Sequence, residues 1–185
     1  MKRILAGALF LGSFAFSQFL EGEVVREFGV KTGVVSVKYD SIDGTKPSRT
    51  LEEFLSVYTF IGAGTAMKAS QPGVSLELST GSRMTSGRTI IYNALELNPS
   101  VEVSFSENLR GFVGFGGSIN RFKERAGSSV NKDMNLGLQF FFGAKLNFTP
   151  VFGVLGEYKG KIFMTGDYDG NFVNHLNVGL FLLLR

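Results

Sequence analysis

Apolar and polar side chains alternate with a period of two along most of this chain, most plainly toward its C-terminus. Leu136, Leu138, Phe140, Phe142, Ala144, Leu146 and Phe148 share one face, against Asn135, Gly137, Gln139, Gly143, Lys145 and Asn147, with only Phe141 apolar among them. That period predicts a β-strand, whose successive side chains point to opposite sides. The next segment sets Phe152, Val154, Gly156, Tyr158, Gly160 and Ile162 against Gly153, Glu157, Lys159 and Lys161. The last sets Leu176, Val178, Leu180, Leu182 and Leu184 against His175, Asn177, Gly179, Phe181, Leu183 and Arg185.

The same reading applied from the N-terminus predicts five earlier strands. The first starts near Lys31, with Val35, Val37 and Tyr39 alternating against Ser36 and Lys38. The second covers 51–67, where Leu55, Val57, Ile61 and Ala63 compete with Phe54, Tyr58 and Phe60, and the aliphatic set is assigned outward. The third, 74–82, alternates Val74, Leu76, Leu78 and Thr80 with Ser75, Glu77 and Ser79. The fourth, 89–105, sets Leu95, Leu97, Val101, Val103 and Phe105 against Glu96, Asn98, Ser100, Glu102 and Ser104. Pro99 interrupts it, and because proline has no N–H to give a ladder, a bulge or a missing ladder bond is expected there. The fifth, 109–122, places Leu109, Val113, Phe115 and Ile119 outward, with Arg110, Phe112, Gly114, Gly116, Ser118 and Asn120 inward.

What encloses these strands follows from the N-terminus. Met1-Lys2-Arg3 is a basic start, Ile4 to Phe16 is apolar, and Ala15-Phe16-Ser17 is a small-x-small cleavage signal, so 1–17 reads as a signal peptide and 18–185 as one exported domain. About 13 apolar residues are too few for a spanning helix, which takes about 20. With no cysteine at the cut, a lipid-anchored terminus is not expected, and with no cysteine anywhere neither are disulfides. Of the 19 Lys and Arg, two leave with the leader, so 17 basic side chains face 16 acidic ones. No basic cluster interleaved with aromatics marks a nucleic-acid surface. An exported chain of long alternating strands, with no apolar run of helical-span length, has one membrane solution. It is an all-β, eight-stranded, antiparallel up-and-down barrel, because lipid cannot satisfy an open strand edge.

The connections add to this. KASQPG, SEN and TP are short, while SIDGTKPSRT (41–50), KERAGSSVNKD (123–133) and MTGDYDGNFV (164–173) are long, the weak member of the long set being RMTSGR (83–88), no longer than KASQPG. Short inner turns and long outer loops are the pattern of outer-membrane barrels. From about residue 22 to 185, through NLRGFVGFGGS, FTPVFGVLGEYKGK and the closing alternating strand, the chain resembles the small eight-stranded outer-membrane barrels, the OmpA transmembrane and OmpX-like group. In that group the last residue is an outward aromatic; here Leu184 takes the outward slot and Arg185 follows. The resemblance implies a monomer in the bilayer of the cell outer membrane, without catalytic activity or cofactor, with a structural or surface-interaction role. Any surface ligand would bind through loops 41–50, 123–133 and 164–173. No peptidoglycan-binding domain is expected after Arg185. A looser resemblance to the OmpW group keeps a narrow channel or carrier for small hydrophobic molecules as the alternative.

The candidate chemistry lies on the inward face. Glu77, Glu96, Glu102 and Glu157 stand against Arg110, Lys145, Lys159 and Lys161, four charges to four. Across the SEN turn Arg110 falls opposite Ser104 with Glu102 diagonal to it, and across the TP turn Lys145 falls diagonal to Glu157. Such charges either line an ion path or fill a narrow lumen in pairs, and pairing is preferred because an eight-stranded interior is only wide enough for side chains. His175 is the single histidine. Barrel lipid A deacylases carry His-x-Ser, whereas His175-Leu176-Asn177 puts an amide where the nucleophile belongs, so His175 is read as a hydrogen bonder at the rim. Asp167 and Asp169 offer two carboxylates in a turn, too few converging ligands for a metal site. Gly62-Ala63-Gly64 and Gly114 to Gly117 are read as room for large inward neighbours.

Overall fold

The computed structural model defines residues 24–38, 48–51, 53–63, 70–85, 88–166 and 172–184. The leader, Asp167, Asp169, Gly64 and Arg185 lie outside the described residues. Nine antiparallel strand segments form one sheet: β1 (Val24–Lys38), β2 (Ser48–Leu51), β3 (Glu53–Ala63), β4 (Ser70–Thr85), β5 (Arg88–Ser104), β6 (Leu109–Ala126), β7 (Ser129–Asn147), β8 (Phe152–Phe163) and β9 (Phe172–Leu184). β1 pairs with both β2 and β3, each strand from β3 onward pairs with the next, and β9 pairs back onto β1, so the sheet closes. β2 and β3 share β1 as neighbour and act as one stave. Val35 pairs Leu51 but Thr32 pairs Leu55, so three steps along β1 match four along its partner and the register slips by one residue. Eight staves result.

The ladder registers fix the barrel's shape. Followed from Val25 through Gly62, Gly73, Ser100, Gly114, Phe141, Lys159 and His175, the pairing returns to β1 at Val35, ten residues above its start. Ten residues of about 3.3 Å against eight spacings of about 4.8 Å tilt the strands by about 40° and give a backbone radius of about 8 Å. Each residue then gains about 2.5 Å of height along the barrel axis.

Several sequence boundaries move. β1 begins at Val24 rather than near Lys31, and Ser70 to Gly73 belong to β4 rather than to a tight connection. Segment 123–133 is not a loop. It zips into the ends of β6 and β7, with Ala126 opposite Ser129 and only Gly127 and Ser128 between them. Gly127 has φ 58° and no non-glycine residue described has positive φ, the pattern of a two-residue turn whose first position needs glycine. The polar alternation of KERAGSSVNKD misled because an extended hairpin standing in water has no apolar face to show. Segment 83–88 behaves alike: Thr85 pairs with Arg88, leaving two residues between β4 and β5. At Pro99 the two alternatives separate. Pairing between β5 and β6 lapses between Leu97–Gly117 and Ser100–Gly114, yet the register on either side is unchanged, so ladder bonds are lost and no bulge forms.

The facing of the strands follows the alternation. Leu55, Leu78, Leu97, Val113, Phe142 and Leu176 stand outward and exposed, part of a continuous apolar belt. On the inward side Phe54, Tyr58 and Phe60 are buried, so β3 carries its aliphatic set outward; Ala63, at the end of that set, is covered. On β6 the outward apolar run from Leu109 to Ile119 spans ten residues, about 25 Å of height, which matches the apolar band of a membrane barrel. No described helix is long and apolar enough to cross a membrane, which says nothing of a barrel that would cross with strands.

Candidate functional site

The interior is built from the alternate side chains of all eight staves. A buried charge must be paired to be tolerated, and ten inward charges are paired here in two layers. Toward the end where β1 begins and β9 ends, Glu27 and Glu102 face Arg110 and Lys145. Arg110 donates to Glu102 at 2.7 Å and lies 3.6 Å from Glu27; Lys145 reaches Glu27 at 2.6 Å and also bonds Glu102. Tyr58 donates its hydroxyl to Glu27 at 2.5 Å. Gly29 makes this possible, because a Cβ there would collide with the Tyr58 ring.

Above this lies a second layer of three acids and three bases. Lys31 bonds Glu77 at 2.6 Å and Glu157 at 3.0 Å, Lys159 bonds Glu77 at 2.8 Å and Glu96 at 2.6 Å, and Lys161 bonds Glu96 at 2.6 Å. Neutral donors take the remaining carboxylate lone pairs: Ser56 to Glu77, Gln139 to Glu96 and Asn177 to Glu157. Each layer is separately neutral, two against two and three against three. The chemistry available is therefore mutual neutralisation. The Tyr58 and Ser56 hydroxyls meet Glu27 and Glu77 where those carboxylates already hold ammonium groups, and no group of three or more potential metal ligands occurs among the described residues.

Apolar side chains close both ends. Tyr58, Phe60, Leu155, Phe181 and Leu183 pack around the lower layer, with the Lys145 ammonium 4.9 Å from the Phe60 ring centre and the Arg110 guanidinium 5.4 Å from that of Phe181. Val35, Phe54, Ile90, Tyr92, Ala94, Phe122, Phe163 and Val173 fill the upper end. A cavity of ≈ 30 Å³ lies beside Lys31, Tyr58, Glu102 and Lys145, room for about two water molecules. Gly62 and Gly114 lie under the Phe60 and Phe141 rings, where any side chain would clash.

All eight charges expected inward are there, and the structure adds Glu27 and Lys31. These two precede or open the first strand as read from sequence, so its inward face began too late to include them. Both diagonal placements hold, Glu102 to Arg110 and Glu157 to Lys145, but only Arg110 bonds the carboxylate on its diagonal. The cross-strand partner of Lys145 is Leu155, and its ammonium spans the lumen to Glu27 and Glu102. Glu157 is taken instead by Lys31, 126 residues away. Cross-strand diagonals describe neighbours on the wall, whereas a lumen about 16 Å across between backbones lets long side chains meet through the middle. His175 is also not a rim hydrogen bonder. It is 1% exposed, packs edge-on to Phe54 with ring centres 5.3 Å apart, and neither ring nitrogen has a hydrogen-bond partner among the described residues.

No family model matches the chain, and no curated protein matches it. Solved structures do. Neisserial surface protein A superposes with a TM-score of 0.57 at 15% identity over 84% of this chain and 96% of that one. Ail, the attachment invasion locus protein of Yersinia pestis, gives 0.62 at 13% identity over 89% of this chain and 99% of its own. The fold is that of the small eight-stranded outer-membrane barrels. Ail in complex with the heparin analogue sucrose octasulfate gives the same TM-score of 0.62. At these identities the likeness is one of fold: barrels of this kind keep strand number and apolar belt while the lumen chemistry and the protruding ends differ from protein to protein.

Proposed function

We propose that this chain is a non-catalytic integral protein of a cell outer membrane, delivered there by residues 1–17 as a signal peptide. It acts as a monomer through the parts that protrude from the outer face, and its lumen serves as structure. The observation that carries this reading is the interior: five acids and five bases joined in two neutral layers between two apolar plugs. A path for ions or solutes needs open space, and side chains pack the two layers and the two plugs of this lumen. The likeness to a surface protein and to an attachment protein supports placing the interaction at the outer end, where β6 and β7 stand beyond the apolar belt as a hairpin.

Two measurements test this. The mature protein is expected to fractionate with outer membranes and to migrate faster on gels when unheated than when boiled, because a closed barrel resists detergent until its ladder is melted. Recovery as a soluble periplasmic protein would end the reading. In planar bilayers the purified barrel is expected to carry no steady current. A stable conductance whose ion selectivity changes in Glu157→Gln or Lys145→Gln would instead make the charges the lining of a path, and the channel reading would take over.

A further inference from the structure

The outer wall of the barrel is apolar around its girth, yet on one strand pair the belt ends in cations. β6 presents Arg121, Lys123 and Arg125 outward in succession above Ile119, and β7 presents Lys132 directly opposite Lys123. With about 2.5 Å of height per residue, these side chains leave the wall between roughly 5 and 15 Å above Ile119, the depth at which lipid headgroups begin. None of the four has an ion-pair partner among the described residues, whereas every inward charge of the two lumen layers has one. No described Asp or Glu shares this outward face on β5, β6 or β7; the outward neighbours are Thr89, Ile91, Asn93, Val130 and Met134. At the opposite edge of the belt the described outward cation is Arg26 alone on β1. Directly beneath Arg121, a shallow groove of ≈ 530 Å³ runs across the wall between Leu55, Leu78, Leu95, Ile119 and Met134.

We infer that this face is a binding site for a phosphate-bearing acylated lipid of the leaflet at the outer end, its phosphates held by Arg121, Lys123, Arg125 and Lys132 and an acyl chain lying in the groove below. The two halves fit one molecule. Unpaired cations at headgroup depth attract an anionic head, and Lys and Arg stems reach it while their carbons stay against the wall. A soluble anion would satisfy the charges and leave the groove to any lipid; a zwitterionic lipid would fill the groove and leave the charges unmet. Because Arg121 lines the groove and also belongs to the cationic row, head and tail are read by adjoining surfaces. The site rests on the barrel spanning a bilayer, as proposed above.

The test uses the full mature barrel in phosphatidylcholine nanodiscs doped with equal amounts of a bis-phosphorylated, acylated glucosamine disaccharide and its dephosphorylated form. Lipid retained on the barrel after transfer to detergent is read by native mass spectrometry. The phosphorylated form is expected to be retained at least about tenfold more, each cation near a charged surface adding attraction. The combined Arg121→Gln, Lys123→Gln, Arg125→Gln and Lys132→Gln variant is expected to retain both forms equally, while Arg26→Gln keeps the preference. Equal retention by the wild-type barrel overturns the site and needs no variant to show it, and so does a preference that survives all four substitutions. Displacement of the lipid by millimolar inorganic phosphate or sucrose octasulfate overturns the lipid assignment in favour of a soluble-anion surface. The gel shift on heating is scored for each sample: a shift retained with no lipid preference refutes this site alone, whereas a lost shift in the wild-type protein refutes the membrane-barrel reading beneath it.

Discussion

Glu96→Gln is expected to cost the barrel about 3–5 kcal/mol, the largest loss from any single change of charge inside it. Glu96 accepts from Lys159 and Lys161, both at 2.6 Å, and from Gln139 at 2.9 Å. Lys159 keeps Glu77 if Glu96 is neutralised, but Lys161 keeps only the hydroxyl of Tyr92 and the amide oxygen of Asn120, so a fully buried ammonium is left without an anion. Glu157→Gln is milder by the same reasoning, since Lys31 and Lys159 both retain Glu77. Adding Lys161→Met to Glu96→Gln restores neutrality to the upper layer at two acids and two bases. The double variant is therefore expected to be more stable than Glu96→Gln alone, which additive costs would forbid. Denaturant unfolding in bilayers, followed by circular dichroism because the chain has no tryptophan, measures both. A Glu96→Gln barrel within about 1 kcal/mol of wild type would show that the layer is wet and its charges individually solvated.

This charge system was half legible in the sequence. Which residues face inward follows from parity, which a strand imposes on every side chain once one is placed; that is why Glu77, Glu96, Glu102, Arg110, Lys145, Glu157, Lys159 and Lys161 could be named together. Who meets whom could not follow, because Lys31 and Glu157 are 126 residues apart and become partners only when β9 closes onto β1. The ends of strands were legible only where a membrane face marked them. Glu27 was lost with the first turn of β1, and 123–133 was misread as a loop, because an extended hairpin in water shows no alternation between lipid and lumen. His175 was misplaced for a different reason. Parity put it inward correctly, but the neighbours it meets there come from other strands, and Val35, Phe54, Tyr92, Phe122 and Phe163 make that end of the lumen apolar.

The belt itself yields the other large effect. Leu180→Arg is expected to cost about 2–4 kcal/mol, and Met84→Arg, on the same outer wall, about 0–1. Leu180 stands outward between Val30 and Val154, four residues above the edge pair of Arg26 and Leu184, which is about 10 Å into the apolar band. A guanidinium there must snorkel that distance or draw water inward. Met84 is outward too, 76% exposed, but its neighbours across the strands are Thr89 and then Arg125, above the apolar run that ends at Ile119. The comparison holds facing constant and varies depth alone. An inward control such as Asn177→Arg would not do so, because Asn177 is buried and donates to Glu157, so the new side chain would both overfill the lumen and unbalance its upper layer. Unfolding free energies in bilayers of fixed thickness decide the matter. Equal costs at 84 and 180 would mean that no hydrocarbon surrounds this belt. A Leu180→Arg cost that shrinks as the bilayer is thinned, while that of Met84→Arg stays flat, would place the band's edge between them, since only the buried site changes its distance to water.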